Sequence, residues 1–249
     1  MPKKVILVTG ASRGLGYAIA TECLQMGAQV LGVGRSCPRA VDKLREQFPD
    51  DFHYYQCDLG SFENCEMAVQ ECTLRFKTIT GLVLNAGVLG PLASVAEASI
   101  PEWQQTFNVN FFGGISCIQA ALPALRRERG AIVIVSSGAA VSAKQGWAAY
   151  CTSKAAVNML ASCLGQEEPD VTTVAVRPGI VDTEMQTDIR ERGSQAMDAK
   201  LYNKLVAMKK NGALLDAKIP GRAIAQLVIH PSFQQSGQFL DHTDVKLQA

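Results

Sequence analysis

The chain contains 249 residues, of which 47% are hydrophobic and 19% charged, and its formal net charge is +1 at pH 7. This composition favours a folded domain with a large core and argues against intrinsic disorder. The nearly neutral charge also argues against broad binding of nucleic acids or anionic membranes.

Short apolar runs alternate with helical patterns along the whole chain. The predicted strands are Val5–Val8, Gln29–Val33, Phe52–Cys57, Leu82–Leu84, Ala131–Val135, Val171–Val176 and Gln238–Leu240. The predicted helices are a segment ending near Gly27, Val41–Gln47, Phe62–Phe76, Glu102–Arg126 and Tyr150–Gly165. Strands that alternate with helices form βαβ units with a parallel sheet. We therefore expect an α/β fold: a single doubly wound Rossmann domain over residues 1–249, with a seven-stranded parallel sheet and helices on both faces.

The N-terminal segment and the cysteines indicate where the protein resides. The first apolar run, Val5–Val8, is too short for the core of a signal peptide. No stretch approaches the ~18 apolar residues of a membrane span. Eight cysteines without a C-x-x-C pair, together with only three histidines, predict reduced thiols and neither disulfides nor a metal site. We therefore expect a cytoplasmic protein that binds no metal, no nucleic acid and no membrane.

Three glycines follow the first predicted strand, where a helix begins. Gly10, Gly14 and Gly16 would allow the backbone to approach a pyrophosphate, which the helix N-terminus attracts. Their spacing is G-x-x-x-G-x-G, which differs from the commonest dinucleotide fingerprint, and a tight connection alone could also use such glycines. Their position directly after the first strand favours a dinucleotide.

The end of the second predicted strand indicates which dinucleotide binds. NAD-binding proteins place an acidic residue about 20 residues after the glycines, where it accepts the ribose hydroxyls. Here the strand ends in Gly34-Arg35-Ser36, without an acid. Arg35 and Arg13 could together hold a 2′-phosphate, although each alone could be a solvated surface arginine. The sequence therefore predicts NADP(H).

A tyrosine and a lysine, Tyr150 and Lys154, share one face of a predicted helix. A fixed ammonium group beside a phenol favours the phenolate, so we expect a lowered pKa for Tyr150 and a role as acid or base. Ser137, after the fifth predicted strand, could hold a carbonyl oxygen while Tyr150 protonates it. Taken alone the Tyr-x-x-x-Lys spacing is a weak signal, because most such pairs are surface residues.

Taken together, these features resemble the short-chain dehydrogenase/reductase family over the whole chain. The matching motifs are Thr9-Gly10-x-x-x-Gly14-x-Gly16, Asp58-Leu59, Leu84-Asn85-Ala86-Gly87, Asn108-Val109-Asn110, Ser137 with Tyr150 and Lys154, and Arg177-Pro178-Gly179-Ile180-Val181-Asp182-Thr183. The resemblance implies that Asn110, Ser137, Tyr150 and Lys154 are catalytic. It implies cofactor contacts from Gly10, Ser12, Arg13, Gly14, Leu15, Gly16, Arg35, Ser36, Asp58, Leu59, Asn85, Ala86, Gly87, Tyr150, Lys154, Pro178, Gly179, Val181, Thr183 and Met185. Lys154 would bind the nicotinamide ribose, and the backbone carbonyl of Asn110 would hold a water that links Lys154 to solvent.

The C-terminal half resembles a narrower group, sepiapterin reductase and the benzil-type carbonyl reductases. The matching segments are Gly146-Trp147-x-x-Tyr150-Cys151, Glu167-Glu168-Pro169, Met185-Gln186, Gly212-Ala213-Leu214-Leu215-Asp216 and Phe233-Gln234-Gln235-Ser236-Gly237. The resemblance implies substrate contacts from Ser137, Trp147, Tyr150, Gly179, Met185 and Asp241, with a mobile, partly helical lid within about residues 182–215. Asp241 matches a pterin-anchoring aspartate, although a surface aspartate is an open alternative, as is a plain core position for Trp147.

We therefore expect an NADPH-dependent carbonyl reductase that acts on α-dicarbonyls or other activated ketones. An NADP-dependent alcohol or hydroxysteroid dehydrogenase and a non-catalytic NADP-sensing protein are the alternatives. Two predicted helices, Tyr150–Gly165 and the one that contains Phe111 and Phe112, are apolar around most of their surface. We expect them to pair with their copies in a homodimer or homotetramer, with an ordinary two-sided core as the alternative.

Overall fold

The inner strands of the sheet are buried on both faces, as their apolar composition predicts. The computed structural model describes residues 2–246, so residues 1 and 247–249 of the predicted domain lie outside the described part. The strands are β1 (Val5–Thr9), β2 (Gln29–Gly34), β3 (Phe52–Gln56), β4 (Gly81–Leu84), β5 (Ala131–Val135), β6 (Thr172–Arg177) and β7 (Phe239–Asp241). They form one seven-stranded sheet in the order β3-β2-β1-β4-β5-β6-β7, and every pair is parallel. The predicted α/β fold is confirmed.

Helices cover both faces of the sheet. They are α1 (Gly14–Gln25), α2 (Arg39–Gln47), α3 (Phe62–Phe76), α4 (Ile100–Phe107), α5 (Gly113–Glu128), α6 (Ala148–Glu167), α7 (Glu184–Arg192), α8 (Ala199–Lys210) and α9 (Lys218–Ile229). Ile6 and Val8 of β1 pack on one side with α1, α2 and α9. Val5 and Leu7 pack on the other side with α3, α5 and α6. The alternation of strand side chains thus divides the core into two layers.

The structure differs from the predicted helices by one interruption and by three helices that were not assigned, α7, α8 and α9, of which α7 and α8 lie within the segment predicted to be partly helical. The helix predicted over Glu102–Arg126 is divided into α4 and α5 by a π-helical segment, Asn108–Phe112. Helix α9 was not predicted, because Pro220 and Gly221 near its start are typical of a turn. Gly221 instead permits close packing on α1, since a Cβ at this position would lie 3.1 Å from the Cβ of Ala18.

The sheet order reverses between β1 and β4, where successive connections leave in opposite directions. In open parallel sheets this switch point creates a crevice outside the carboxyl ends of the strands. The loops after β1, β2, β4, β5 and β6 meet there. Among the described residues no helix is long and apolar enough to cross a membrane.

Candidate active site

A cavity of about 1070 Å³ lies at the carboxyl edge of the sheet. Every residue predicted to contact the cofactor or the substrate lies on its wall. Asn110 is the exception among the predicted site residues, because it borders a smaller cavity behind Lys154. The fold therefore brings together segments that are far apart in the sequence.

The glycine turn after β1 has the shape that a pyrophosphate requires. Gly10 and Gly14 adopt positive φ angles of 69° and 54°. A Cβ at Gly16 would lie 2.2 Å from the carbonyl oxygen of Gly10. Arg13 precedes α1 and makes no side-chain capping bond, so it leaves the N–H groups of the first turn for a ligand. The turn therefore fits a dinucleotide.

The loop after β4 is fixed to the end of β1. The hydroxyl of Thr9 accepts hydrogen bonds from the backbone N–H groups of Asn85 at 2.9 Å and Ala86 at 3.1 Å. The amide nitrogen of Asn85 donates to the backbone oxygen of Thr9 at 3.0 Å. These bonds hold both sides of the switch point in register.

Two exposed guanidinium groups lie at the β1–β2 end of the cavity. Arg35 directly follows β2 and is exposed, while its backbone oxygen accepts from the side chain of Gln56 at 2.9 Å. The Nε atom of Arg13 lies 3.8 Å from Glu184, and both side chains are more than half exposed. An ion pair of this length and exposure is weak, so a phosphate could replace it.

The Tyr–Lys pair lies on α6, below the end of β5. Tyr150 and Lys154 are 7% and 4% exposed, and the Nζ atom of Lys154 lies 5.8 Å from the centre of the Tyr150 ring. Lys154 donates to the backbone oxygen of Val135 at 2.8 Å. Ser137 accepts from the backbone N–H of Ala139 at 3.1 Å, and its hydroxyl lies with that of Tyr150 on the same cavity wall. The two hydroxyls can therefore meet one carbonyl oxygen.

The prediction that the pKa of Tyr150 is lowered is wrong for the protein without a bound cofactor. Burial raises the pKa of Tyr150 to about 12, although the hydroxyl of Ser137 acts in the opposite direction. Burial also lowers the pKa of Lys154 to about 8. The amine of Lys154, which donates to the oxygen of Val135, does not offset the desolvation of the phenol. Tyr150 is therefore a protonated hydrogen-bond donor at neutral pH.

Asn110 lies in the π-helical segment, where the regular helical hydrogen bonds are interrupted. Its side-chain oxygen accepts from the N–H of Val88 at 2.8 Å. Its side-chain nitrogen donates to the oxygen of Val88 at 2.9 Å and to Ser153 at 3.0 Å. The side chain thus joins the loop after β4 to α6, while the water held by its backbone carbonyl stays a prediction.

The comparisons with known proteins agree with this arrangement. Residues 4–194 match the family described as short chain dehydrogenase. The chain belongs to this family. It is therefore an oxidoreductase, as its Rossmann fold and Tyr–Lys pair predict.

Relatives within the short-chain dehydrogenase family match nearly the whole chain. An uncharacterised oxidoreductase of Schizosaccharomyces pombe is 42% identical over 96% of this chain and 96% of its own length. A benzil reductase ((S)-benzoin forming) of Saccharomyces cerevisiae is 38% identical over 98% of this chain and 97% of its own. The crystal structure of a Saccharomyces cerevisiae short-chain dehydrogenase/reductase superposes with a TM-score of 0.93 and 38% identity, over 97% of this chain and 96% of that chain. The predicted resemblance to benzil-type reductases is confirmed.

The far end of the cavity in this short-chain dehydrogenase is apolar. Trp147 packs edge-on against Tyr150, with ring centres 5.9 Å apart and an interplanar angle of 87°. Met185 lies on the same wall, with Ile189 of α7 and Leu205 of α8, which sequence analysis missed. The sequence signal for Ile189 and Leu205 is their position on the apolar faces of α7 and α8, two helices that the sequence analysis did not assign.

Asp241 lies on the cavity wall, but its carboxylate is already bonded within the protein. Arg177 donates to one oxygen at 2.7 Å. The other oxygen accepts from the N–H and hydroxyl of Thr243, at 3.0 and 2.8 Å. These bonds join the ends of β6 and β7, so the structure gives Asp241 a structural role, and its contact with a pterin stays a prediction.

Proposed function

We propose that the chain is an NADPH-dependent carbonyl reductase that reduces activated ketones, above all α-diketones such as benzil, to hydroxy compounds. The observation that carries the proposal is the pair of hydroxyls, Tyr150 and Ser137, on the wall of the cavity that also contains the glycine turn. The activity named for the Saccharomyces cerevisiae relative, benzil reductase, supports this substrate class.

In this proposal the protein positions and protonates the carbonyl group. NADPH, when bound, would supply the hydride. Tyr150 donates its proton to the carbonyl oxygen, and Ser137 donates a hydrogen bond to the same oxygen. Lys154 leaves the carbonyl of Val135 to bind the ribose hydroxyls, and its charge then stabilises the phenolate that forms. Asn110 contributes through its backbone carbonyl to the path by which Tyr150 regains a proton.

The choice of NADPH over NADH rests on the β1–β2 end of the cavity. Arg35 and Arg13 would bind the 2′-phosphate, and no acidic residue ends β2 to accept the ribose hydroxyls. The glycine turn would bind the pyrophosphate, and Asp58 and Leu59 would contact the adenine.

We also propose that residues 182–215 form a lid over the substrate. Helices α7 and α8 lie within this segment, and Ile189, Met197 and Leu205 pack with Trp147 and Tyr150. Such a cover would exclude water from the carbonyl and favour transfer of hydride to carbon.

A panel of ketones tests the proposed activity. NADPH consumption is followed by absorbance with benzil, diacetyl, sepiapterin and acetone, and we expect turnover of benzil to exceed that of acetone by at least about a hundredfold. Oxidation of an alcohol or hydroxysteroid with NADP⁺, without reduction of any ketone, would favour the dehydrogenase. Tight NADPH binding without turnover would favour the sensor.

The proposed assembly is a homodimer or homotetramer in the cytoplasm. Phe112 is 45% exposed and Met159 66% exposed, on the helical surfaces that we expect to pair. Phe62 extends this surface, with its ring centre 6.3 Å from that of Phe112. The eight cysteines are free thiols, which fits a reducing compartment.

Analytical ultracentrifugation tests the proposed assembly. It should show a dimer or tetramer at micromolar concentration, and Phe112→Glu should dissociate this oligomer. A wild-type monomer would contradict the assembly.

A further inference from the structure

Some charged side chains on the cavity wall have a partner of opposite charge, and others have none among the described residues. Of the acidic residues there, Glu184 lies near Arg13, and Asp241 is bonded to Arg177. Asp58, the remaining acid, follows β3 at the opposite end of the sheet. Lys144 and Lys204 also lie on the wall, and neither forms an ion pair with a residue in the described part of the chain.

Both lysines flank the apolar end of the cavity. Lys144 precedes α6, and its backbone oxygen accepts from the N–H of Trp147 at 3.1 Å. Its amine donates only to Ser142, at 2.9 Å, among the described residues. Lys204 is followed on α8 by Leu205, which is buried against the cluster that contains Trp147 and Tyr150. The two amines are therefore carried by separate segments, the loop before α6 and helix α8, which both reach the cavity wall.

These lysines are separate from the cations assigned to the cofactor. Arg13 and Arg35 follow β1 and β2, whereas the lysines belong to segments that follow β5 and β6. In the order of the sheet, β4 lies between these two pairs of strands. The substrate end thus has its own positive charge, beside an apolar wall and without an unpaired acid.

We infer that this end of the cavity binds an anionic group, so that the enzyme favours ketones that carry a carboxylate on an apolar body, such as aromatic α-keto acids. Lys144 and Lys204 pair with the carboxylate while Trp147, Ile189 and Leu205 contact the body. The inference rests on the proposed carbonyl reduction and refines its substrate class. Two cations on the wall of one cavity attract an anion more strongly than either does alone.

A matched pair of substrates tests this inference. Benzoylformate and its methyl ester have the same reacting ketone and differ in one negative charge. The quantity measured is the ratio of kcat/KM for the acid to kcat/KM for the ester, at saturating NADPH. In Lys144→Met/Lys204→Met we expect this ratio to fall about tenfold, while kcat/KM for the ester changes less than about twofold. In the wild type the ratio should also fall as ionic strength rises.

Lys200→Met/Lys210→Met is the control, because both residues lie on α8 and neither is on the cavity wall. It changes the net charge equally, and we expect it to preserve the ratio. An unchanged ratio in the double variant, with both substrates reduced, overturns the inference and leaves the proposed function intact. A defect confined to the KM for NADPH also overturns it, because the lysines would then serve the cofactor. If the wild type reduces neither these substrates nor benzil, the proposed function fails and the inference fails with it.

Discussion

Replacing Tyr150 with phenylalanine is expected to lower kcat for ketone reduction by about a thousandfold and to leave NADPH binding unchanged. Burial raises the pKa of the phenol to about 12, so it is a protonated donor at neutral pH. Phenylalanine retains the ring that packs against Trp147 but cannot donate a proton. Stopped-flow absorbance measures turnover, and fluorescence titration measures the Kd for NADPH.

Tyr202→Phe is the matched control for this variant. Tyr202 lies on α8, and its hydroxyl donates to the backbone oxygen of Arg190 at 2.8 Å, away from the cavity wall. This variant loses one phenolic hydroxyl from the same apolar cluster, and we expect it to keep most of the activity. A Tyr150→Phe enzyme that retained about a tenth or more of the wild-type rate would show that Tyr150 is not the proton donor.

The second large effect concerns the cofactor. Arg35→Asp is expected to lower kcat/KM for NADPH by about a hundredfold and to raise kcat/KM for NADH. The guanidinium at the end of β2 would be replaced by a carboxylate, which repels a 2′-phosphate and can accept the ribose hydroxyls. Steady-state kinetics with both cofactors and one ketone measure the change in preference.

Arg39→Asp provides the control for electrostatic changes at this end of the protein. Arg39 begins α2, is exposed, and is not on the cavity wall. It changes the charge equally and should leave the cofactor preference unchanged. An Arg35→Asp enzyme that still preferred NADPH would contradict the role of Arg35.

Local patterns predicted much of the fold and the candidate site. The strand Val5–Thr9 is apolar from Val5 to Val8 because both of its faces are covered. This apolar run is visible in the sequence. The spacing of Tyr150 and Lys154 along one helix is also a local property. The parallel sheet with helices on both faces followed from the alternation of strands and helices, to which the family resemblance added the residue assignments.

Features that depend on distant contacts could not be predicted in the same way. The pKa of Tyr150 is set by burial, and the amine of Lys154 is held by the oxygen of Val135, which belongs to a neighbouring strand. The bonds of Asp241 with Arg177 form only when β7 pairs with β6. Helix α9 could not be recognised from the sequence, because Gly221 near its start allows close packing against α1. The sequence does not show which helix packs beside this glycine.

The most direct test is a crystal structure of the protein with NADP⁺ and benzil bound together. We expect the nicotinamide C4 atom within about 3.5 Å of one benzil carbonyl carbon. The oxygen of that carbonyl should accept hydrogen bonds from Tyr150 and Ser137, and Lys154 should contact the nicotinamide ribose. A nicotinamide ring bound away from Tyr150, or a carbonyl oxygen that meets neither hydroxyl, would contradict the proposed reaction.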